Sequence, residues 1–180
     1  TRKESSAASD VYKRQDYDAA IYYLALMLES GEDPKFIARR LIISASEDIG
    51  LADPNAMNIA NAAFEAVNFI GMPEGRIPLA EATIYLATAP KSNRAYEAIN
   101  SAIADVRNRK TNDVPEHLKN IHVNKEDSGK YIYPHSYDES IVKQDYLTNK
   151  KSFYNPTEVG YEKRIKERID YINSKLGNKK

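Results

Sequence analysis

The sequence predicts an all-α fold, an antiparallel helical bundle, on three observations. Apolar residues recur at i, i+3, i+4 and i+7. An Asp-Pro start is twice answered by a Gly stop. The connections between periodic stretches are short, as in up-and-down bundles. The 180 residues suit one domain, with 42% hydrophobic residues for a core and 29% charged residues for a soluble surface.

The elements follow in order. Residues 1–15 are polar, without a helical stripe, and read as a disordered or non-native lead. Order begins at "DYDAAIYYLALMLESG", where Ile21, Leu24, Ala25 and Leu28 share one face and Gly31 is a natural stop. "EDPKFIARRLIISASEDIG" has Asp33 as N-cap and Pro34 in the first helical position, with Ile37, Leu41, Ala45 and Ile49 as its stripe. Asp53, Pro54 and Gly71 repeat that signature around "NAMNIANAAFEAVNFI". There Ala60, Ala63, Phe64 and Val67 make one face, extended by Ile59, Ala66 and Ile70. Its small residues allow close approach, which predicts a central place.

"LAEATIYLATA" is apolar on most sides, which predicts burial, and Pro90 ends it. Ser92 then caps a fifth helix with Ala95, Ile99, Ala102, Ile103 and Val106 as its stripe. These helices make residues 16–110 a helical core. Residues 111–154 lose the periodicity and are expected to be irregular chain packed on the core, with a short extended pair near 130–134. Residues 155–176 predict a last helix, with Asn155 as cap, Pro156 first and Glu158 closing a capping box. Tyr161, Ile165, Ile169, Ile172 and Leu176 form a narrow seam, suited to docking on another surface.

Composition bounds the function. The chain has no Cys, hence no disulfide, thiolate zinc site or Cys nucleophile, which fits a reducing cytoplasm. No apolar run approaches the roughly 18 residues of a membrane span, and "TRKESSAASD" lacks the apolar stretch of a secretory signal. Formal charge is −4 over residues 1–100 and +4 over 101–180, a hint of an anionic partner for the second half.

No GxxxxGK[ST] or GxGxxG loop cradles a phosphate, and no GxSxG elbow or HExxH pair occurs. His117, His122 and His135 lack paired metal spacing and read as ordinary surface or turn histidines. Glu47 and Asp48 at the end of a helix oppose its dipole. As adjacent residues they point about 100° apart, too divergent for an acid–base pair on one atom. Arg39 and Arg40 lie two turns back, too far to reach them along the helix. The four residues are therefore expected in structural ion pairs or at an oligomer interface.

Arg107, Arg109, Lys110 and Lys119 form a basic cluster with two readings: phosphate contact, or cations complementing a helix C-terminus. Seven of the thirteen Tyr lie in 131–171, where they serve as core for a segment poor in Leu and Val, or as base-stacking platforms.

Five blocks, "GEDPKFIARRLIISASEDIGLADPNA", "EGRIPLAEATIYLATAPKSN", "VPEHLKN", "YIYPHSY" and "FYNPTEVGYEKRIKERI", together resemble the C-terminal part of the RarA/MgsA family. These are AAA+ ATPases of replication-associated recombination, similar to Werner-helicase-interacting protein. The resemblance runs in unbroken order over residues 16–172. It implies a collar-like oligomerisation domain comparable to that of clamp loaders, assembling a homotetramer around DNA-dependent ATPase modules at stalled forks. It further implies that Walker A, Walker B, ATP and Mg²⁺ belong to an N-terminal module, and that this chain alone is no enzyme and carries no cofactor. DNA and replication-fork proteins such as single-strand-binding protein are the implied partners, in a cytoplasmic, nucleoid-associated setting without a membrane. The rival reading from the residues is a stand-alone DNA-binding module using the basic second half.

Overall fold

A computed structural model describes residues 15–108, 114, 115, 118, 132–148 and 151–177. Six α-helices are present among them: α1 Tyr17–Glu29, α2 Pro34–Ser44, α3 Asn55–Ile70, α4 Arg76–Thr88, α5 Arg94–Asn108 and α6 Glu162–Lys175. No strand occurs among the described residues. None of these helices is long and apolar enough to cross a membrane. The expected extended pair near 130–134 is absent in its described part. Pro134–Ser136 is instead a 3-10 turn, and Asp138–Ser140 is a turn with Glu139 and Ser140 at positive φ.

Local chemistry places the first helices. The Asp16 carboxylate accepts the N–H of Ala19, and that of Asp33 accepts the N–H of Lys35 with Pro34 beginning α2. Gly31, Gly50 and Gly71 all take positive φ where their helices stop. Asp53 caps α3 through the N–H of Asn55, 3.1 Å away, so the cap expected there forms.

The core is the space between α1, α2, α3 and α4. Ala20, Ala38, Ala56, Ala60 and Ala82 let the helices approach closely, while Leu24, Ile37, Leu41, Leu79 and Leu86 fill the remainder. The whole predicted α2 stripe is buried. In α1 the buried residues are Ala20, Leu24 and Met27, and Ala25 faces solvent, so the predicted face is rotated. The central place belongs to α4, which touches α1, α2 and α3; α3 lies against α2 and α4. Leu79, Ala82, Thr83, Leu86 and Ala87 of α4 are buried, but Ile77, Glu81, Ile84 and Thr88 make an exposed face, so the burial expected on most sides is partial.

Two expectations fail, each for a tertiary reason. Helix α5 buries none of its stripe fully. Ala95 and Ala102 turn inward, while Ile99, Ile103 and Val106 stand 55%, 39% and 59% exposed. The last helix begins at Glu162 rather than Pro156. Residues 155–161 are held off the helical path: the Tyr161 N–H donates to Ala52 O at 2.7 Å, and the Thr157 N–H is captured by the Glu162 side chain. Glu158 reaches Lys166 instead of closing a capping box. Tyr161 is 48% exposed, and the seam residues Ile165, Ile169, Ile172 and Leu176 are half-buried.

Candidate functional site

The sequence between α2 and α3 explains where the outer elements attach. After Ser44 the backbone widens into a π turn, Ala45–Ile49, and tightens into a 3-10 turn, Gly50–Ala52. Ser46 donates its hydroxyl to Ile42 O, one turn back, at 3.0 Å, a bond that competes with regular helix. Ser44 does the same to a side chain, donating to Asp48 Oδ2 at 2.8 Å. The Asp48 main-chain oxygen accepts the Ser92 N–H at 2.9 Å, fastening the α4–α5 linker to the turn.

Gly50 and Gly160 are required by close approach. Gly50 has φ +50°, and a Cβ there would stand 2.9 Å from Ser92 O. Gly160 has φ +56°, and a Cβ would lie 2.1 Å from Ala52 O. No side chain fits at that distance from a carbonyl oxygen, so the chain entering α6 lies directly on the 3-10 turn.

At the centre of this joint stands Glu162, with no exposed surface. Its Oε2 accepts from Ser92 Oγ at 2.7 Å, Thr157 Oγ1 at 2.6 Å and Thr157 N–H at 3.1 Å. Its Oε1 accepts from Tyr154 OH at 2.8 Å. Burial works against the ionised carboxylate, but the hydrogen bonds from Thr157, Ser92 and Tyr154 outweigh it and hold the carboxyl below its usual range. Burial and the neighbouring carboxylate push the Tyr154 phenol well above its ordinary value.

Lys91 supplies the cation beside the acidic turn. Its ammonium donates to Leu86 O, Ala87 O and Ala89 O at 2.6, 3.2 and 2.6 Å, satisfying the carbonyls that end α4. Burial lowers its pKa and the charge of Asp48 partly restores it. A pocket of about 350 Å³ opens here, lined by Asp48, Lys91, Ser92, Asn93, Arg94 and Thr157. Its charged groups are already engaged, Lys91 by the three carbonyls and Arg94 by Glu97 at 2.7 Å. The arrangement is a polar joint: it can hold helices and linkers together, and no free acid–base pair faces the pocket.

The residues singled out in the sequence fall as follows. Arg39 is exposed and pairs with Asp33 at 3.5 Å within its own helix region. Arg40 is half-buried with a buried Nε. Glu47 and Asp48 are half-buried in the π turn, and only Asp48 joins the network around Ser44, Lys91 and Ser92. Arg107 is exposed in the last turn of α5. Arg109, Lys110 and Lys119, like His117 and His122, lie outside the described residues. His135 Nδ1 stands 3.4 Å from Ser140 Oγ. Among the described residues no three His, Cys, Asp or Glu side chains gather as metal ligands.

Sequence reasoning missed Lys91, Tyr154, Thr157 and Glu162. They carry no periodicity; Tyr154, Thr157 and Glu162 flank Gly160, where the helical pattern should already have begun, and Lys91 lies in the polar linker after Pro90.

Comparison with known proteins places this architecture. The family model described as MgsA AAA+ ATPase C terminal matches residues 14–173, and so includes the whole joint. An AAA domain-containing protein of Mycobacterium tuberculosis is 44% identical over 172 residues, 92% of this chain and 38% of that protein. Replication-associated recombination protein A of Bacillus subtilis is 43% identical over 175 residues, 93% of this chain and 41% of that protein. ATPase WRNIP1 of Dictyostelium discoideum is 39% identical over 147 residues, 79% of this chain and 17% of that protein. The chain thus spans about two-fifths of the length of the two bacterial relatives. It belongs to the family of C-terminal domains of MgsA AAA+ ATPases.

Proposed function

We propose that this chain is the self-association domain of an AAA+ ATPase that acts on DNA in replication, recombination and repair at stalled forks, forming a homotetramer comparable to a clamp-loader collar. The observation that carries the reading is the inverted apolarity of α5. Ala95, Ala98 and Ala102 are half-buried, while Tyr96, Ile99, Ile103 and Val106 stand 46%, 55%, 39% and 59% exposed at helical spacing. A helix that turns its alanines inward and its larger apolar residues outward gains most by meeting another copy. Fully burying an aliphatic or aromatic side chain of this size contributes about 1.5–3 kcal/mol.

In this reading ATP and Mg²⁺ are handled by the family's ATPase module, and the assembly brings several such modules to DNA in the cytoplasm. Replication-fork proteins, single-strand-binding protein among them, are its further partners. The joint around Glu162 keeps α5 and α6 in fixed relation to the core, so that each copy presents the same face. Sedimentation equilibrium of the full chain tests the proposal. Four times the 20.3 kDa chain mass is expected at tens of micromolar, and a monomer there contradicts it.

A further inference from the structure

One face of α6 is already organised around an anion. Arg164, Arg168, Tyr171 and Lys175 are spaced four, three and four residues apart, which puts them in one row about 16 Å long. All four are exposed. The Arg168 guanidinium lies 5.2 Å and the Lys175 ammonium 5.4 Å from the centre of the Tyr171 ring. On these groups sits a carboxylate from a distant turn. Glu139 Oε1 accepts from Tyr171 OH at 2.6 Å, and Oε2 lies 3.4 Å from Arg168 Nη1. The hydrogen bond from Tyr171, with the Arg168 and Lys175 charges, holds the Glu139 carboxyl below its usual range.

That occupant is held in an unfavourable backbone. Glu139 has φ +53° and Ser140 φ +57°, a region L residues rarely adopt. The pair is also wet, with the Arg168 and Glu139 side chains 54% and 38% exposed. A solvated ion pair of this kind is weak and exchanges readily with an external anion. The competing acids near the row are Asp138, whose charge acts on Lys175, and Glu167 and Asp170 on α6 itself.

We infer that Arg164, Arg168, Tyr171 and Lys175 form a binding face for the phosphodiester backbone of nucleic acid, with Glu139 as its displaceable internal occupant. A phosphate oxyanion takes the place of the Glu139 carboxylate on Tyr171 OH and Arg168, and Lys175 and Arg164 meet neighbouring phosphates along the row. Displacement lets the Glu139–Ser140 turn relax from its left-handed conformation. Three cations along one helix face, about 6 Å and about 10 Å apart along its axis, meet successive charges of a polyanion, which a single acidic side chain does not offer. The inference rests on the DNA-associated reading above and adds a contact made by this chain itself.

Fluorescence anisotropy of the full chain with a labelled oligothymidylate, over a salt series, tests it. Three phosphate contacts from this face contribute about −2 to the slope of log K against log salt on a single strand. Glu139→Gln is expected to tighten binding about two- to fivefold, the equivalent of losing one exposed competing ion pair. Arg168→Ala with Lys175→Ala is expected to weaken binding and to make the slope shallower by about 1.4. A Glu139→Gln protein that binds no more tightly than wild type overturns the displacement, since a purely structural Glu139 gives no gain. Absence of binding by both wild type and Glu139→Gln overturns the face itself. Sedimentation of the wild type separates the two proposals: a tetramer that binds no oligothymidylate condemns only this face, and a monomer that binds it condemns only the tetramer.

Discussion

Ser92 and Glu162, 70 residues apart in the chain, share a buried hydrogen bond of 2.7 Å that joins the start of α5 to the start of α6. Around that bond Tyr154 and Thr157 satisfy the remaining carboxylate positions, so one side chain fixes both outer helices to the core.

Glu162→Ala leaves several buried donors without an acceptor and is expected to cost roughly 3–5 kcal/mol. Glu162→Gln keeps one acceptor oxygen and should cost about 1–2 kcal/mol. Hydrogen exchange should show α6 losing protection before α1–α4 in both variants. The wild type also gains a pH dependence from this group. Its folded pKa lies below the ordinary Glu value, so its stabilisation is full above about pH 5 and fades as pH falls through the folded value. Urea midpoints at pH 7 and pH 3.5 should therefore differ more for wild type than for Glu162→Gln.

Gly160→Ala tests the close approach to Ala52. The added Cβ meets a carbonyl oxygen in a left-handed conformation, which predicts a loss above about 3 kcal/mol. Gly31→Ala is the control, since Gly31 has φ +79° and open space around it. Only the backbone penalty of about 1–2 kcal/mol applies there. Equal losses in urea unfolding would show that residue 160 does not lie against the turn.

Thr83 is fully buried in α4, and its Oγ1 has no hydrogen-bond partner among the described residues. Thr83→Val replaces that hydroxyl with a methyl of similar shape. It should raise stability by about 1 kcal/mol, or Tm by about 2–4 °C for a domain of this size. A lower Tm would mean that the hydroxyl is satisfied in solution.

What was legible in the sequence was local. Asp33 and Asp53 act within two residues of their own positions, and Gly31 and Gly71 need only a φ that glycine supplies. The α2 stripe was legible for the same reason: its four residues face one core. The start of α6 was not legible, because Asn155, Pro156 and Glu158 satisfy the local rule for a cap while Glu162 and Ala52 take the N–H groups of Thr157 and Tyr161. Glu162 itself looks like any surface acid of a charged helix until the linker carrying Ser92 arrives. Asp48 posed a dipole problem whose neighbouring cation, Lys91, comes from the far end of α4. Helix α5 has the correct period, but periodicity alone does not show whether a stripe meets its own chain or another.

The basic cluster after α5 gives a separate prediction for DNA. Phosphate contacts from Arg107, Arg109, Lys110 and Lys119 predict a slope of about −3.6 on duplex. Replacing all four with Ala should weaken binding and flatten the slope. Unchanged affinity and slope would return these residues to the role of helix-terminal cations.

Self-association through α5 is tested most directly by the solution mass of wild type, Ile99→Asp with Ile103→Asp, and Arg39→Ala with Arg40→Ala, each measured by light scattering at the same concentration. The account predicts a tetramer for wild type and smaller species for the α5 variant with its helical circular dichroism retained. It predicts a tetramer for the arginine variant, because Arg39 pairs with Asp33 and Asp48 is engaged within its own chain. A wild-type monomer, or an α5 variant that remains a tetramer, would contradict it.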